Sequence, residues 1–90
     1  MGPGRVTAIF RGRVQGVGFR WSANELAGGF PVAGTAQNLP DGTVRVVAEG
    51  ARTACEGFLA ALRARMAGCI RGEDLAWEEA EGLEGFRILR

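Results

Sequence analysis

A glycine-rich stretch, from Gly12 to Arg20, contains the residues of this sequence that are best suited to chemistry. It runs Gly-Arg-Val-Gln-Gly-Val-Gly-Phe-Arg, after an apolar segment and before a segment with a helical pattern. Glycine adopts positive φ without strain, so Gly12, Gly16 and Gly18 allow several backbone N–H groups to face one point. A helix that starts directly after such a loop adds the positive end of its dipole. Because the guanidinium of Arg20 suits a phosphate or carboxylate, the stretch predicts an anion-binding site.

Two familiar phosphate-binding loops do not fit this stretch. The Walker loop ends in Gly-Lys-Ser/Thr, whereas this stretch ends in Gly-Phe-Arg. The dinucleotide fingerprint needs a third glycine where Trp21 stands. Its acidic residue would be Asp41, which lies in a Pro-Asp-Gly turn and is explained by that turn. From spacing alone, a strand-to-helix turn without a ligand remains an equally good interpretation.

Three parts of the sequence resemble the acylphosphatase family. The stretch from Gly12 to Arg20 resembles its first motif, the run from Gly34 to Val44 resembles its second, and Gly85 to Arg90 resembles its closing strand. The resemblance covers nearly the whole chain. It implies an enzyme that hydrolyses an acyl phosphate to a carboxylate and inorganic phosphate, without a metal or other cofactor.

The resemblance also implies roles for individual residues. The phosphoryl oxygens would be held by the Arg20 guanidinium and by backbone amides of Gln15, Gly16, Val17, Gly18, Phe19 and Arg20. Asn38 would hold the attacking water, which makes Arg20 and Asn38 the predicted catalytic residues. Because an acyl phosphate has a good leaving group, the enzyme must mainly supply charge neutralisation, position and an oriented water. The water's proton would pass to a phosphate oxygen of the substrate.

Some of these residues also have plainer interpretations. Asn38 precedes the turn Pro40-Asp41-Gly42, where Asn is common. We expect the Gln15 side chain to serve the loop's own hydrogen bonds and Phe19 to lie in the core. Gln37 stands where many members of the family have a basic residue, which puts substrate affinity in question. A phosphate-binding module without catalysis is the main alternative to an enzyme.

Composition limits the other possibilities. The chain has 90 residues, 47% hydrophobic, which suffices for one domain over residues 1–90. A net charge of +1, with no His and no Lys, gives no indication of a nucleic acid or membrane partner and removes the commonest metal ligand. An RNA-binding sheet would need exposed aromatics on central strands, and only Phe10 occurs there. Cys55 and Cys69 do not make a zinc site, and we expect Cys55 to be a buried free thiol.

Without a signal peptide or lipidation motif, we expect a monomeric cytoplasmic protein whose partners are a small acyl phosphate and its product phosphate. Residues 1–4 are expected to be disordered. Apolar periodicity predicts strands at 6–13, 32–39, 43–49, 75–79 and 86–89 and helices at 21–28 and 51–66. Ser22 and Glu25 have the capping-box pattern, which would start the first helix at Ser22, whereas the family pattern would start it nearer Arg20.

The predicted fold is α+β. It is a ferredoxin-like split βαβ sandwich, βαββαβ plus a short last strand, with both helices on one face of an antiparallel sheet.

Overall fold

The structure is a computed structural model that describes residues 3–90. Its elements are β1 (Gly4–Gly12), α1 (Phe19–Ala27), β2 (Ala33–Asn38), β3 (Val44–Gly50), α2 (Arg52–Arg65), β4 (Ile70–Glu79) and β5 (Phe86–Leu89). This is the predicted order, and the strands form one sheet in the spatial order β4-β1-β3-β2-β5. The two crossovers with a hairpin between them confirm the ferredoxin-like arrangement.

The sheet is mixed, and the prediction of an antiparallel sheet is wrong for one pair. β1 pairs antiparallel with β3 and β4, and β2 pairs antiparallel with β3, but β5 runs parallel to β2. The reason is the path of the chain. β4 leaves the sheet at one edge, and residues 80–85 cross to the other edge at the same end, so β5 runs back in the direction of β2.

The core lies between the sheet and the two helices. Every second residue of β1 and β3 faces the helices, as the period of a strand requires. These strands therefore contribute Val6, Ala8, Phe10, Val44, Val46 and Ala48 to the core. The helix α2 contributes Cys55, Phe58, Leu59 and Leu62, and all of these residues are buried. Cys55 and Cys69 are both free, and Cys55 is buried as predicted. Trp77 lies on the edge strand β4, also as predicted, with the Arg52 guanidinium 4.1 Å from its ring.

α1 begins at Phe19, so the capping-box prediction at Ser22 is wrong. Gly18 is the residue before the helix, no side chain caps that end, and the N–H of Ser22 already donates to the carbonyl of Gly18 at 2.9 Å. Phe19 is buried, and its ring centroid lies 5.1 Å from that of Phe10 on β1. The packing of this aromatic pair favours a helix that starts at Phe19, directly after Gly18 and the glycine loop.

Two other boundaries differ from the prediction by more than one residue. β4 begins at Ile70 and not at residue 75, because its first half also pairs with β1. Gly4, which we expected to be disordered, pairs with Gly50 and Glu79 as the first residue of β1. The rest of that prediction, for Met1 and Gly2, lies outside the described residues. Neither helix within residues 3–90 is long and apolar enough to span a membrane.

Candidate active site

A cavity of about 180 Å³ lies where the loop after β1 meets the ends of β2 and β5. Its lining comes from three segments that are distant in sequence: Val14, Gly16, Gly18, Phe19, Arg20, Trp21, Asn38 and Ile88. The fold therefore brings both predicted catalytic residues, Arg20 and Asn38, to one cavity together with most of the predicted phosphate-binding loop.

The loop adopts the conformation that its glycines were expected to permit. Gly16 has φ 75° and Gly18 has φ 76°, both in the left-handed region. A Cβ atom added at either position would meet no atom within 4 Å. The two glycines are thus required by the backbone conformation and not by lack of room. A side chain there would cost roughly 1–2 kcal/mol in backbone strain.

The backbone amides of this loop have no partner within the described part of the chain. No N–H group from Gln15 to Trp21 donates a hydrogen bond to an atom of residues 3–90. The first bonded amide is that of Ser22. Unpaired N–H groups at the start of a helix, beside its positive dipole end, have the geometry that favours an anion.

Arg20 is the second residue of α1 and is half-buried. Its Nη1 donates a hydrogen bond to the backbone carbonyl of Leu89 at 2.8 Å, which attaches it to the end of β5. Within residues 3–90 it forms no ion pair. A guanidinium has five N–H donors, so one bond orients the group and leaves others for two-pronged binding of a phosphoryl group.

Asn38 is the last residue of β2 and pairs with Val44 in β3. Its side-chain amide forms no hydrogen bond to residues 3–90, although it lines the cavity. The turn that follows is closed by other groups. Asp41 Oδ1 accepts hydrogen bonds from Thr43 Oγ1 at 2.6 Å and from Thr43 N at 3.0 Å, and these bonds lower the pKa of Asp41. The side-chain amide of Asn38 makes none of these hydrogen bonds.

Gln15 has a different partner from the one expected. Its Nε2 donates to the carbonyl oxygens of Leu39 at 2.8 Å and Thr43 at 2.9 Å, so the side chain ties the loop to the β2–β3 hairpin and not to the loop itself. Gln15 and Val17 do not line the cavity, and Val17 packs against the core. The Phe19 side chain is in the core as predicted, which leaves only its backbone for a ligand.

Sequence reasoning missed two apolar residues of the cavity. Trp21 is 60% exposed and Ile88 is 42% exposed, yet both line it. The position of Trp21 next to Arg20 was a usable signal. Ile88 could not be found, because it reaches the cavity only through the parallel pairing of β5 with β2. Among residues 3–90, no three metal-binding side chains lie close enough to hold a metal ion.

Comparison with known proteins agrees with this geometry. The acylphosphatase family model matches residues 6–88. An acylphosphatase from Thermus thermophilus is 44% identical over 86 residues, which cover 93% of this chain and 97% of that protein. The crystal structure of acylphosphatase from Bacillus subtilis has a TM-score of 0.87 and 29% identity, over 97% of this chain and 99% of that one.

The same fold also occurs inside a larger protein. A crystal structure of full-length HypF matches this chain with a TM-score of 0.81 and 24% identity. The match covers only 12% of the HypF chain. At that identity the likeness shows the fold alone. The near full-length matches to free-standing proteins place the chain among hydrolases of acid anhydrides. It belongs to the acylphosphatase family, whose members act on acyl phosphates.

Proposed function

We propose that this protein hydrolyses an acyl phosphate in the cavity beside α1, with Arg20 and Asn38 as its catalytic residues. One observation is the main support for this proposal. The unpaired loop amides, the Arg20 guanidinium and the free Asn38 amide all meet at a single cavity. These are an anion cradle and a water-holding group, and hydrolysis of an acid anhydride needs both.

The cradle would hold the phosphoryl group of the substrate. Amides from Gly16 to Arg20 and the Arg20 guanidinium donate charge-assisted hydrogen bonds to its oxygens. In the transition state of phosphoryl transfer, charge spreads over the three equatorial oxygens, so donors fixed in advance by the loop stabilise it. The bond from Arg20 to Leu89 keeps the guanidinium in place at little entropic cost during the reaction.

Asn38 would orient the attacking water. Water oxygen bonds to phosphorus while the bond from phosphorus to the acyl oxygen breaks, and the carboxylate leaves with the electron pair. The proton of the water passes to a phosphoryl oxygen. None of the side chains that line the cavity is an acid or a histidine, which agrees with a reaction that uses the substrate as its own base. The carboxylate is a good leaving group and needs no general acid.

The test is hydrolysis of benzoyl phosphate by the purified protein in the presence of a chelator. Wild type should remain active, whereas Arg20→Lys should lose activity by roughly 10²–10³-fold, because a point charge cannot replace the two-pronged contact. Arg13→Lys is the matched control, since Arg13 is an exposed arginine of the same loop that does not line the cavity. Activity lost in chelator and restored by a divalent ion would contradict the mechanism.

The alternative, a phosphate-binding module, gives a different result in the same experiments. Phosphate would raise the melting temperature in an Arg20-dependent manner, as binding to the folded state requires, but no substrate would be hydrolysed.

We also propose that the enzyme is a cytoplasmic monomer that binds neither nucleic acid nor membrane. The near-neutral charge supports this, because nucleic acid binding generally relies on a basic surface. Sedimentation tests the oligomeric state, and titration with a labelled polynucleotide at low salt tests the partner. A dimer or a salt-sensitive complex would contradict the respective part of the proposal.

A further inference from the structure

We infer that Trp21 and Ile88 form the binding surface for the acyl group, and that this enzyme therefore prefers acyl phosphates with a planar apolar acyl group. The inference rests on the proposed function. It starts from an anomaly, since Trp21 is the most exposed large apolar residue in the described part of the chain. The buried side chains of α1 are Phe19, Ser22, Ala23 and Ala27, so the Trp21 indole has no part in the core.

The hydrogen bond from Arg20 to Leu89 brings the two side chains close together. Trp21 directly follows Arg20 on α1, and Ile88 directly precedes Leu89, whose carbonyl accepts the hydrogen bond from Arg20. One hydrogen bond thus joins the two segments that bear the apolar residues. A phosphoryl group held by Arg20 would have its acyl end in the same cavity as Trp21 and Ile88.

The size and chemistry of the cavity indicate the size, shape and charge of the acyl group that it favours. Its volume of about 180 Å³ is below the range of roughly 300–1,000 Å³ typical of sites for drug-sized ligands, so the substrate is small. An indole face favours a flat or apolar group in van der Waals contact. Arg20 is the one cation among the lining residues and is used by the phosphoryl group, which disfavours a second anionic group on the acyl chain.

The experiment compares two substrates that differ in the acyl group, benzoyl phosphate and acetyl phosphate. Trp21→Ala should lower kcat/KM for benzoyl phosphate by roughly tenfold, as loss of a stacked aromatic contact implies, and leave acetyl phosphate little changed. The loss should appear mainly in KM, because an acyl-group contact is made in the ground state as well. Ile88→Ala should act in the same direction with a smaller effect.

Two matched variants control for indirect effects. Trp21→Phe keeps an aromatic face and should retain the preference for benzoyl phosphate. Leu75→Ala removes an exposed apolar side chain on β4 that does not line this cavity. It should leave kcat/KM unchanged for both substrates. Inhibition by inorganic phosphate should be unchanged in all variants. An equal loss for both substrates, or none for benzoyl phosphate, would overturn the inference.

A binding measurement separates this inference from the proposed function. Two unhydrolysable phosphonates, phenacylphosphonate and acetonylphosphonate, carry the same two acyl groups, and the shift in melting temperature reports their binding. Wild type should bind phenacylphosphonate more tightly, and Trp21→Ala should bind both alike. If this holds while neither substrate is hydrolysed, the acyl surface stands and the hydrolase mechanism fails. If the two phosphonates bind alike in wild type, the acyl surface is wrong.

Discussion

At each end of the sheet, several backbone amides lie near an arginine side chain. At one end these groups bind a carboxylate of the protein itself, and at the other end, within the described part of the chain, they do not. At the end away from the cavity, the Glu49 carboxylate accepts hydrogen bonds from the N–H groups of Glu81, Gly82 and Leu83 at 2.8, 3.0 and 2.8 Å. It also accepts one from Arg5 at 3.0 Å. At the cavity, the amides from Gln15 to Trp21 and the Arg20 guanidinium have no such carboxylate among residues 3–90. We refer to these as the closed and the open anion site.

Under the function proposed above, the same backbone arrangement serves structure at the closed site and would bind the substrate at the open one. Both sites use glycines with positive φ, Gly82 at 91° in the closed site and Gly16 and Gly18 in the open one. Glu49 is only 5% exposed and fixes the crossover that leads to β5. β5 in turn supplies the carbonyl of Leu89 that holds Arg20. The closed site therefore stabilises the segment on which the open site depends.

The largest effect should come from Asn38, which has no counterpart in the closed site. Asn38→Ala should lower kcat by roughly 10²–10³-fold, with KM and phosphate inhibition little changed, because an oriented water contributes only in the transition state. Steady-state kinetics on benzoyl phosphate measures this, and circular dichroism checks folding. A loss that merely follows the unfolded fraction would assign Asn38 to the turn and remove it from the mechanism.

Glu49→Gln should destabilise the fold by about 3 kcal/mol, since it removes a buried charged acceptor and leaves Arg5 without its main partner. Urea unfolding measures the loss. Glu78→Gln is the control: Glu78 is exposed, forms no ion pair within residues 3–90, and should change stability by less than about 0.5 kcal/mol. Equal effects of both substitutions would show that the closed site is not structural.

The same comparison predicts a pH dependence. Burial by itself raises the pKa of Glu49, but the hydrogen bonds from Glu81, Leu83, Arg5 and Gly82 outweigh it and lower the pKa from 4.5 to about 2. Because the folded-state pKa lies below the unfolded one, this carboxylate stabilises the fold above pH 4.5, and the contribution is lost as pH falls toward 2. The difference in unfolding free energy between wild type and Glu49→Gln should therefore shrink over that range. A constant difference would contradict the assignment.

The smallest effects distinguish the two sites by their glycines. Gly18 and Gly82 both have positive φ, so Gly18→Val and Gly82→Val should each cost roughly 1–2 kcal/mol of stability through backbone strain. No steric clash adds to this cost, because neither Cβ would meet another atom within 4 Å. Only Gly18→Val should abolish the stabilisation by phosphate. Thermal unfolding with and without phosphate measures both quantities. Full protection by phosphate in Gly18→Val would show that the loop amides do not form the cradle.

Much of this molecule was predictable because it depends on short-range physics. Positive φ at Gly16 and Gly18 follows from residue type, the apolar period of residues 51–66 predicts α2, and Pro40-Asp41-Gly42 predicts the turn before β3. The family motifs added Asn38 as a candidate and gave Arg20 a catalytic role. Each of these conclusions concerns one stretch of chain and its own backbone.

The tertiary structure alone decided several of the contacts between distant stretches. The start of α1 at Phe19 depends on packing against Phe10, and the partner of Gln15 is a hairpin more than twenty residues away. The parallel pairing of β5 with β2 depends on a crossover held by Glu49, a contact that local propensity does not encode. That pairing brings Leu89 to Arg20 and Ile88 to the cavity, so the shape of the site was decided by contacts between residues far apart in sequence.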